Sequence, residues 1–136
     1  MSKKPKFITS QNDRQIAYHK FEGREPTVIF CGGYMSDMEG TKATYLEGVC
    51  RELNLSYIRF DYSGHGHSSE DFVDGTISSW RDDTLAIIDR LTSGSLIIIG
   101  SSMGGWIGLL VSLARKERVR GFIGIAAAPD FTRELM

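Results

Sequence analysis

Apolar and polar residues alternate in blocks along the whole chain, and the length and period of each block predict its structure. Residues 6–9 and 15–21 alternate as short strands do, with polar turns at 11–14 and 22–26. The run Thr-Val-Ile-Phe-Cys at 27–31 is almost wholly apolar, which is typical of a strand covered on both faces. The N-terminal part is therefore predicted to form three strands, the first two as an antiparallel pair.

From residue 27 onward, segments with the period of a strand alternate with segments with the period of a helix. Further strands are predicted at 55–60, 95–99 and 119–127, and helices at 40–53, 76–91 and 103–115. Helical spacing predicts the buried faces of the first two helices: Tyr45, Leu46, Val49 and Leu53, then Ile77, Trp80, Thr84, Ile88 and Leu91. The alternation predicts an α/β fold of about six strands, with a mostly parallel sheet, helices on both faces and an antiparallel N-terminal pair.

Composition and charge restrict the classes of partner more than they restrict the fold. The 136 residues, 41% of them hydrophobic and with a net charge of −1, are enough for one domain with its own core. This balance gives no electrostatic reason for a nucleic-acid partner, and no apolar run is long enough to span a membrane. Cys31 and Cys50 stand apart from any Cys/His cluster, which argues against a metal site. Two reduced thiols, and no apolar leader at the N-terminus, favour a cytoplasmic location.

The segment Gly100-Ser101-Ser102-Met103-Gly104 lies between the strand predicted at 95–99 and the helix predicted at 103–115. In that setting, G-x-S-x-G is typical of a nucleophilic serine held on a sharp turn from strand to helix. Small residues two positions before and after Ser102 let the strand and the helix approach each other, and Gly105 and Gly108 are expected to extend that approach. Ser101 is the alternative nucleophile, although its neighbours lack this spacing.

A serine nucleophile also needs hydrogen-bond donors for the negative charge that develops on the substrate's carbonyl oxygen. The N–H of Met103, at the N-terminus of the predicted helix, is one expected donor. The second is expected from the loop Gly32-Gly33-Tyr34, which follows the strand at 27–31, and we assign it to the N–H of Tyr34. These residues predict an enzyme of acyl transfer.

A third segment, Asp61-Tyr62-Ser63-Gly64-His65-Gly66-His67-Ser68, is similar to the D-x-x-G-x-G-x-S loop of α/β-hydrolases. Together with the G-x-S-x-G segment and the strand order, it makes the chain resemble the N-terminal half of that superfamily's domain. The segments at 33–38, 59–64 and 100–106 resemble the branch that contains the mitochondrial acyl-protein thioesterase and its bacterial relatives. The resemblance implies hydrolysis of an ester or thioester through an acyl-serine intermediate on Ser102, with no metal or organic cofactor.

The same resemblance implies that residues 1–136 are a single partial domain without the C-terminal strands and the lid. In the family, the triad acid follows the seventh strand and the histidine follows the eighth, so a longer or separate chain is expected to supply them. Asp130 is a candidate acid, because some members take it from the end of the sixth strand. His65 and His67 are more simply interpreted as loop residues than as bases.

Two functions are therefore expected of this chain. The first is a serine hydrolase, incomplete in its triad, that acts on a small-molecule or acyl-protein ester or thioester. The alternative is a catalytically inactive remnant or an interaction module derived from such an enzyme. Asp61 is expected to fix its own loop, and His19 to lie on an early edge strand. An unpaired strand at 119–127 would leave an open edge and an association-prone monomer.

Overall fold

The computed structural model describes residues 4–10, 14–33, 38–62 and 77–125. These residues form six strands: β1 (Lys6–Thr9), β2 (Gln15–Phe21), β3 (Arg24–Cys31), β4 (Leu55–Phe60), β5 (Leu96–Ser101) and β6 (Val119–Ile125). They also form three helices: α1 (Thr41–Leu53), α2 (Ile77–Leu91) and α3 (Met103–Ala114). The predicted α/β class is confirmed. None of the helices in these ranges is long and apolar enough to cross a membrane.

The strands form one sheet in the order β1-β2-β4-β3-β5-β6. Strands β4, β3, β5 and β6 are parallel, and β1 and β2 join the sheet antiparallel, as predicted. From β3 the chain crosses to β4, on the β2 side of the sheet. From β4 it crosses back past β3 to β5 and then continues outward to β6. Because such crossovers share one hand, α1 lies on one face and α2 and α3 lie on the other. The order therefore reverses at β3, whose carboxyl end adjoins that of β5.

Two apolar clusters, one on each face, hold the helices to the sheet. On the face of α2 and α3 the cluster contains Ile29, Cys31, Ile58, Phe60, Ile98, Trp80, Ile87, Ile88, Met103, Ile107 and Val111. On the face of α1 it contains Val28, Phe30, Tyr57, Ile99, Ala43 and Cys50. Each fully buried aliphatic side chain stabilises the fold by about 1.5–3 kcal/mol relative to an exposed one. This burial on both faces explains the nearly continuous apolar runs of the central strands.

The stripe predicted for α2 is confirmed, but the face predicted for α1 is only half right: Leu46 packs against the cluster on that face and Val49 is half-buried, whereas Tyr45 and Leu53 point outward. Tyr45 is 70% exposed and Leu53 is 51% exposed, whereas Ala43 and Cys50 are buried. The helix is rotated because Glu47, on the buried side, reaches Arg59 on β4 with a hydrogen bond of 2.8 Å. The Glu47–Arg59 pair, rather than the size of the apolar side chains, therefore determines which face of α1 packs on the sheet.

The ends of three strands differ from the predicted ones. Strand β3 begins at Arg24, so the turn predicted at 22–26 is shorter, because the N–H of Arg24 donates to the carbonyl of Asn54 at 2.8 Å. Strand β5 continues to Ser101. Strand β6 is described as far as Ile125, and the last two residues predicted for it lie outside the described ranges.

Candidate active site

A single residue, Ser102, separates β5 from α3, and its backbone is strained. Its dihedral angles are φ 57° and ψ −119°, a combination that L-amino acids with a side chain rarely adopt. Two hydrogen bonds hold it there: the N–H of Ser102 donates to Ile125 O at 2.9 Å, and the N–H of Gly105 donates to Ser102 O at 2.8 Å. The sharp turn predicted from G-x-S-x-G is therefore present at the carboxyl edge of the sheet.

The glycines on either side of Ser102 allow three backbones to touch. A Cβ atom on Gly100 would collide with the carbonyl oxygen of Gly104, and one on Gly104 would collide with the carbonyl oxygens of Cys31 and Gly32. The turn after β5 is thus packed directly against the end of β3 and the loop that follows it. This contact is the physical reason for small residues at both positions.

The approach continues along α3 at one of the two further positions expected. A Cβ on Gly108 would lie 2.7 Å from the ring of Phe122 on β6, so the helix packs closely on the sheet there. Gly105 has open space where its Cβ would be, so no glycine is required at that position. Its backbone nevertheless lies near β5, since a Cβ on Gly100 would be 2.8 Å from the Cα of Gly105.

The structure places Ser102, Met103 and the glycine loop after β3 next to one another. Met103 is the first residue of α3, where backbone N–H groups have no partner inside the helix, and its side chain is completely buried. The other predicted site residues, Tyr34 and Asp130, lie outside the described residues, as do His65 and His67. Their assigned roles stay predictions.

Asp61 anchors the loop after β3, a role that the sequence did not reveal. Its buried carboxylate accepts a hydrogen bond from the N–H of Met38 at 2.7 Å, across 23 positions of the chain. The hydroxyl of the neighbouring Tyr62 donates to Gly32 O at 3.0 Å. The segment after β4 therefore holds both Gly32 and Met38, on either side of the position of Tyr34.

A charged network on the α1 face holds the same loop from the other side. The guanidinium of Arg59 donates to Met38 O at 2.8 Å and to Glu47 Oε1 at 2.8 Å, and it lies 3.2 Å from Glu39 Oε1. Burial opposes the ionisation of Glu47, but hydrogen bonds from Arg59 and Arg51 together outweigh it and lower the pKa of its carboxyl group. The carboxylate of Glu47 is therefore ionised and paired with the guanidinium groups of Arg59 and Arg51.

The described histidine is too far from Ser102 to act as its base. His19 lies on β2, opposite Arg59, with its Nε2 atom 3.3 Å from Glu39 Oε2. Three strand spacings separate β2 from β5, which is roughly 14 Å, whereas a general base must come within about 3 Å of the hydroxyl. In the ranges that the structure describes, no histidine reaches the nucleophile position.

Cys31 lies beside the turn but cannot compete with a serine as nucleophile. It is completely buried, and burial raises the pKa of its thiol to about 12, so the reactive thiolate is absent at neutral pH. No three His, Cys, Asp or Glu side chains among the described residues are grouped as metal ligands would be.

A cavity of about 250 Å³ opens beside the turn, between the glycine loop, the first turn of α1 and Ser101. A larger hollow of about 430 Å³ lies at the opposite edge of the sheet, where Lys20, Glu22 and Glu25 line it. The smaller cavity is the relevant one, because ligands of open α/β sheets bind at the carboxyl ends of strands where the strand order reverses.

A family model of the alpha/beta hydrolase fold matches residues 26–136. The chain belongs to the α/β-hydrolase family. A human α/β-hydrolase, palmitoyl-protein thioesterase ABHD10, mitochondrial, is 44% identical over 124 residues, which cover 91% of this chain and 40% of that protein. The structure of alpha/beta hydrolase domain-containing protein 10 from mouse superposes with a TM-score of 0.85 at 40% identity, over 88% of this chain and 48% of that one.

A bacterial enzyme is also similar, at lower identity. The pimeloyl-[acyl-carrier protein] methyl ester esterase of Shewanella woodyi is 34% identical over 110 residues, which cover 81% of this chain and 38% of that enzyme. The chain thus spans about 40% of the length of the curated relatives that it matches. The resemblance to the thioesterase branch of α/β-hydrolases is confirmed.

The predicted cytoplasmic location is wrong. The thioesterases of human, cattle and mouse that are 42–44% identical to this chain are all named as mitochondrial proteins. The prediction relied on the N-terminal residues and on two unpaired cysteines, but Cys31 and Cys50 are both buried and pack as small apolar side chains. A buried thiol of this kind is retained for packing in any compartment, so it carries no information about location.

Proposed function

We propose that this chain carries the nucleophile of a serine hydrolase that cleaves carboxylic esters or thioesters through an acyl-serine intermediate. The observation that carries the proposal is the strained backbone of Ser102, held between glycines that pack directly on the end of β3. A fold maintains strain of this kind, about 1–3 kcal/mol per residue, where the geometry is functional. The relatives support the same bond class, since one is named a thioesterase and another a methyl ester esterase.

In this mechanism the hydroxyl of Ser102 attacks the acyl carbonyl and loses its proton to a base. The carbonyl oxygen becomes an oxyanion that accepts hydrogen bonds from the N–H of Met103 and the N–H of Tyr34. Collapse of this intermediate expels the thiol or alcohol, which takes up the proton, and water then releases the acid from Ser102. Each N–H donor contributes about 3–4 kcal/mol to transition-state stabilisation.

The base and its carboxylate partner are assigned to polypeptide outside the described residues, because His19 is too distant. Asp130 is the candidate acid, and the histidine comes from a longer form of this chain or from a separate one. The matched length supports this assignment, since the relatives extend well beyond the part that aligns with this chain. The substrate is a small-molecule or acyl-protein ester or thioester.

A fluorophosphonate probe, which reacts with activated serines, tests the proposal on the purified chain. In serine proteases that lack one member of the triad, the oxyanion hole and substrate binding still give roughly 10³–10⁴-fold catalysis over water. We therefore expect slow labelling of Ser102, identified by mass spectrometry of the modified peptide, and faster labelling when imidazole is added as a surrogate base.

Two variants control this experiment. Ser102→Ala should lose the label, whereas Ser112→Ala should keep it, because Ser112 lies on the same helix with its hydroxyl bound to Gly108 O at 2.7 Å. Equal labelling of the wild-type protein and Ser102→Ala, with and without imidazole, would contradict the proposal. That outcome would favour the alternative, an inactive remnant or interaction module.

A further inference from the structure

Tyr62 is a buried titratable side chain near the carboxyl edge of the sheet that the proposed mechanism does not use. It directly follows Asp61, and only 2% of it is exposed. Its ring packs edge-on against Phe60, with the centroids 5.2 Å apart, and lies 6.2 Å from the ring of Trp80. These contacts hold the ring in one orientation, so packing determines the direction in which its hydroxyl points.

The hydroxyl of Tyr62 is bonded to the end of β3 and to the glycine that follows it. It donates to Gly32 O at 3.0 Å, across 30 positions of the chain. Because its single proton is used in that bond, the thiol of Cys31 is the donor in the hydrogen bond between these two side chains. Burial raises the pKa of the Tyr62 hydroxyl well above its usual range, so alkaline pH does not remove the donor to Gly32.

The carbonyl that Tyr62 binds is also one against which the Ser102 turn packs. A Cβ on Gly104 would collide with the carbonyl oxygens of Cys31 and Gly32, so the backbone of Gly104 lies directly on them. Gly104 follows Ser102 by two positions, and no side chain separates it from Gly32. Because close-packed atoms transmit a displacement, a shift of Gly32 O is passed on to the turn.

The first residue of α3 shares a core with Tyr62. The side chain of Met103 is completely buried in the apolar cluster that also contains Tyr62, Cys31 and Trp80. The N–H group that we assign to the oxyanion belongs to this same Met103. The two reacting parts of the turn, the serine and the N–H donor, are therefore supported from the side on which Tyr62 lies.

We propose that Tyr62 is a positioning residue for the attack of Ser102 on the acyl carbonyl. The inference rests on the proposed hydrolase function. Tyr62 acts through the backbone and not on the substrate: its hydroxyl fixes Gly32 O, and Gly32 O fixes Gly104 and with it the turn. Because a misplacement of reacting groups by about 1 Å slows a reaction about a hundredfold, loss of this bond slows acylation and leaves binding unchanged.

A pair of matched variants separates this role from ordinary core packing. Tyr62→Phe removes the hydroxyl and keeps the ring. Tyr57→Phe is the control, because Tyr57 is equally buried and its hydroxyl donates to a backbone carbonyl, Ala43 O at 2.7 Å, on the opposite face of the sheet. Each variant loses one buried hydrogen bond of the same kind, so the urea midpoints of both should fall by similar amounts. The variants differ in where the bond is lost.

Fluorophosphonate labelling in the presence of imidazole measures the effect on the serine. We expect the maximal labelling rate of Tyr62→Phe to fall about tenfold, and the probe concentration that gives half of this rate to stay as in the wild type. Tyr57→Phe should label within about twofold of the wild type. Equal maximal rates in the two variants would show a purely structural role and overturn the proposal. So would an unchanged maximal rate with a higher half-saturating concentration, which would assign Tyr62 to binding.

Backbone amide shifts test the same link without any reaction. Spectra of the ¹⁵N-labelled proteins should show shifted amides at Met103, Gly104 and Gly105 in Tyr62→Phe, and none there in Tyr57→Phe. Unshifted amides at these three positions overturn the proposal, whatever the labelling rates. If the wild type does not label even with imidazole, the hydrolase proposal fails, and the amide shifts still decide whether Tyr62 holds the turn.

Discussion

The strained backbone of Ser102 is possible because the residues two positions before and after it, Gly100 and Gly104, lack side chains. The backbone of Ser102 would relax toward an ordinary strand or helix conformation if the turn had room, but the contacts of Gly100 and Gly104 with adjacent backbone leave none. The hydrogen bond from Ser102 N–H to Ile125 O, 2.9 Å long, fixes the remaining freedom. The position of the serine hydroxyl is therefore determined by packing rather than by any partner of the side chain.

Adjacent glycines in α3 give a sharp test of this packing. Gly104→Ala should lower the free energy of unfolding by about 2–3 kcal/mol, because its Cβ would press on the carbonyl oxygens of Cys31 and Gly32. Gly105→Ala should raise it by about 0.5–1 kcal/mol, since that Cβ meets open space and alanine favours the helix. Urea denaturation of both variants measures the two effects. Similar changes in the two proteins would show that the close contact at Gly104 is not made.

Asp61 should act on Ser102 through the loop that it holds. Asp61→Ala leaves the buried N–H of Met38 without its acceptor, which should cost about 1–3 kcal/mol of stability and slow fluorophosphonate labelling. Asp61→Asn retains an oxygen that accepts the same bond, so most of the stability and labelling should return. Denaturation and labelling rates measured together check this. Asparagine as damaging as alanine would mean that the charge, and not the hydrogen bond, is required.

At the scale of elements, strands were more predictable than helix faces. The buried central strands have short, nearly uninterrupted apolar runs bounded by turn residues, and five of the six predicted strands begin at or within one residue of the observed start. The face of α1 was not predictable by size, because Glu47 pairs with Arg59 on β4 and Tyr57 donates to Ala43 O at 2.7 Å. Both contacts join residues at least 12 positions apart, which helical periodicity does not contain.

The candidate site likewise contains features that the sequence predicts and features that it does not. The turn at Ser102 depends on five consecutive residues, so it could be predicted from the local sequence. The tether from Asp61 to Met38 joins the ends of two different strands, so its partner is known only once β3 and β4 are paired. The cavity beside Ser101 likewise depends on the placement of α1. Sequence patterns therefore identify residues that set the local backbone conformation, but not residues whose hydrogen bonds join two separate elements.

The pair that docks α1 on β4 should make stability depend on pH. The pKa of Glu47 is lowered in the folded protein, so its ionised form stabilises the fold above the unfolded pKa of about 4.3. That contribution is lost as pH falls through the folded pKa. Wild type should therefore be more stable than Glu47→Gln at pH 7, and the difference should shrink below about pH 4. Urea denaturation across this range measures it, and a difference that is constant with pH would show that the Glu47 charge does not contribute.

At the scale of the whole molecule, β6 forms one edge of the described sheet. Strand β6 pairs only with β5 in the described sheet, and its Ile123 is 52% exposed. The outer face of α3 adds Trp106, Leu109 and Leu113, each at least 40% exposed. An edge strand with apolar side chains and unpaired backbone groups is a template for pairing with another chain. Self-association should therefore begin at β6 and grow with protein concentration.

A charge placed on that edge should suppress the association without weakening the fold. Ile123→Lys puts an ammonium group on the exposed edge strand, so the free energy of unfolding should change by less than about 0.5 kcal/mol. Sedimentation velocity over a range of concentrations should show less oligomer than in the wild type. Glu117→Gln, at an exposed position before β6, changes the net charge by the same one unit and is the control for net charge alone. If both variants reduce association equally, net charge and not the β6 edge governs it, and pairing at another surface must be sought.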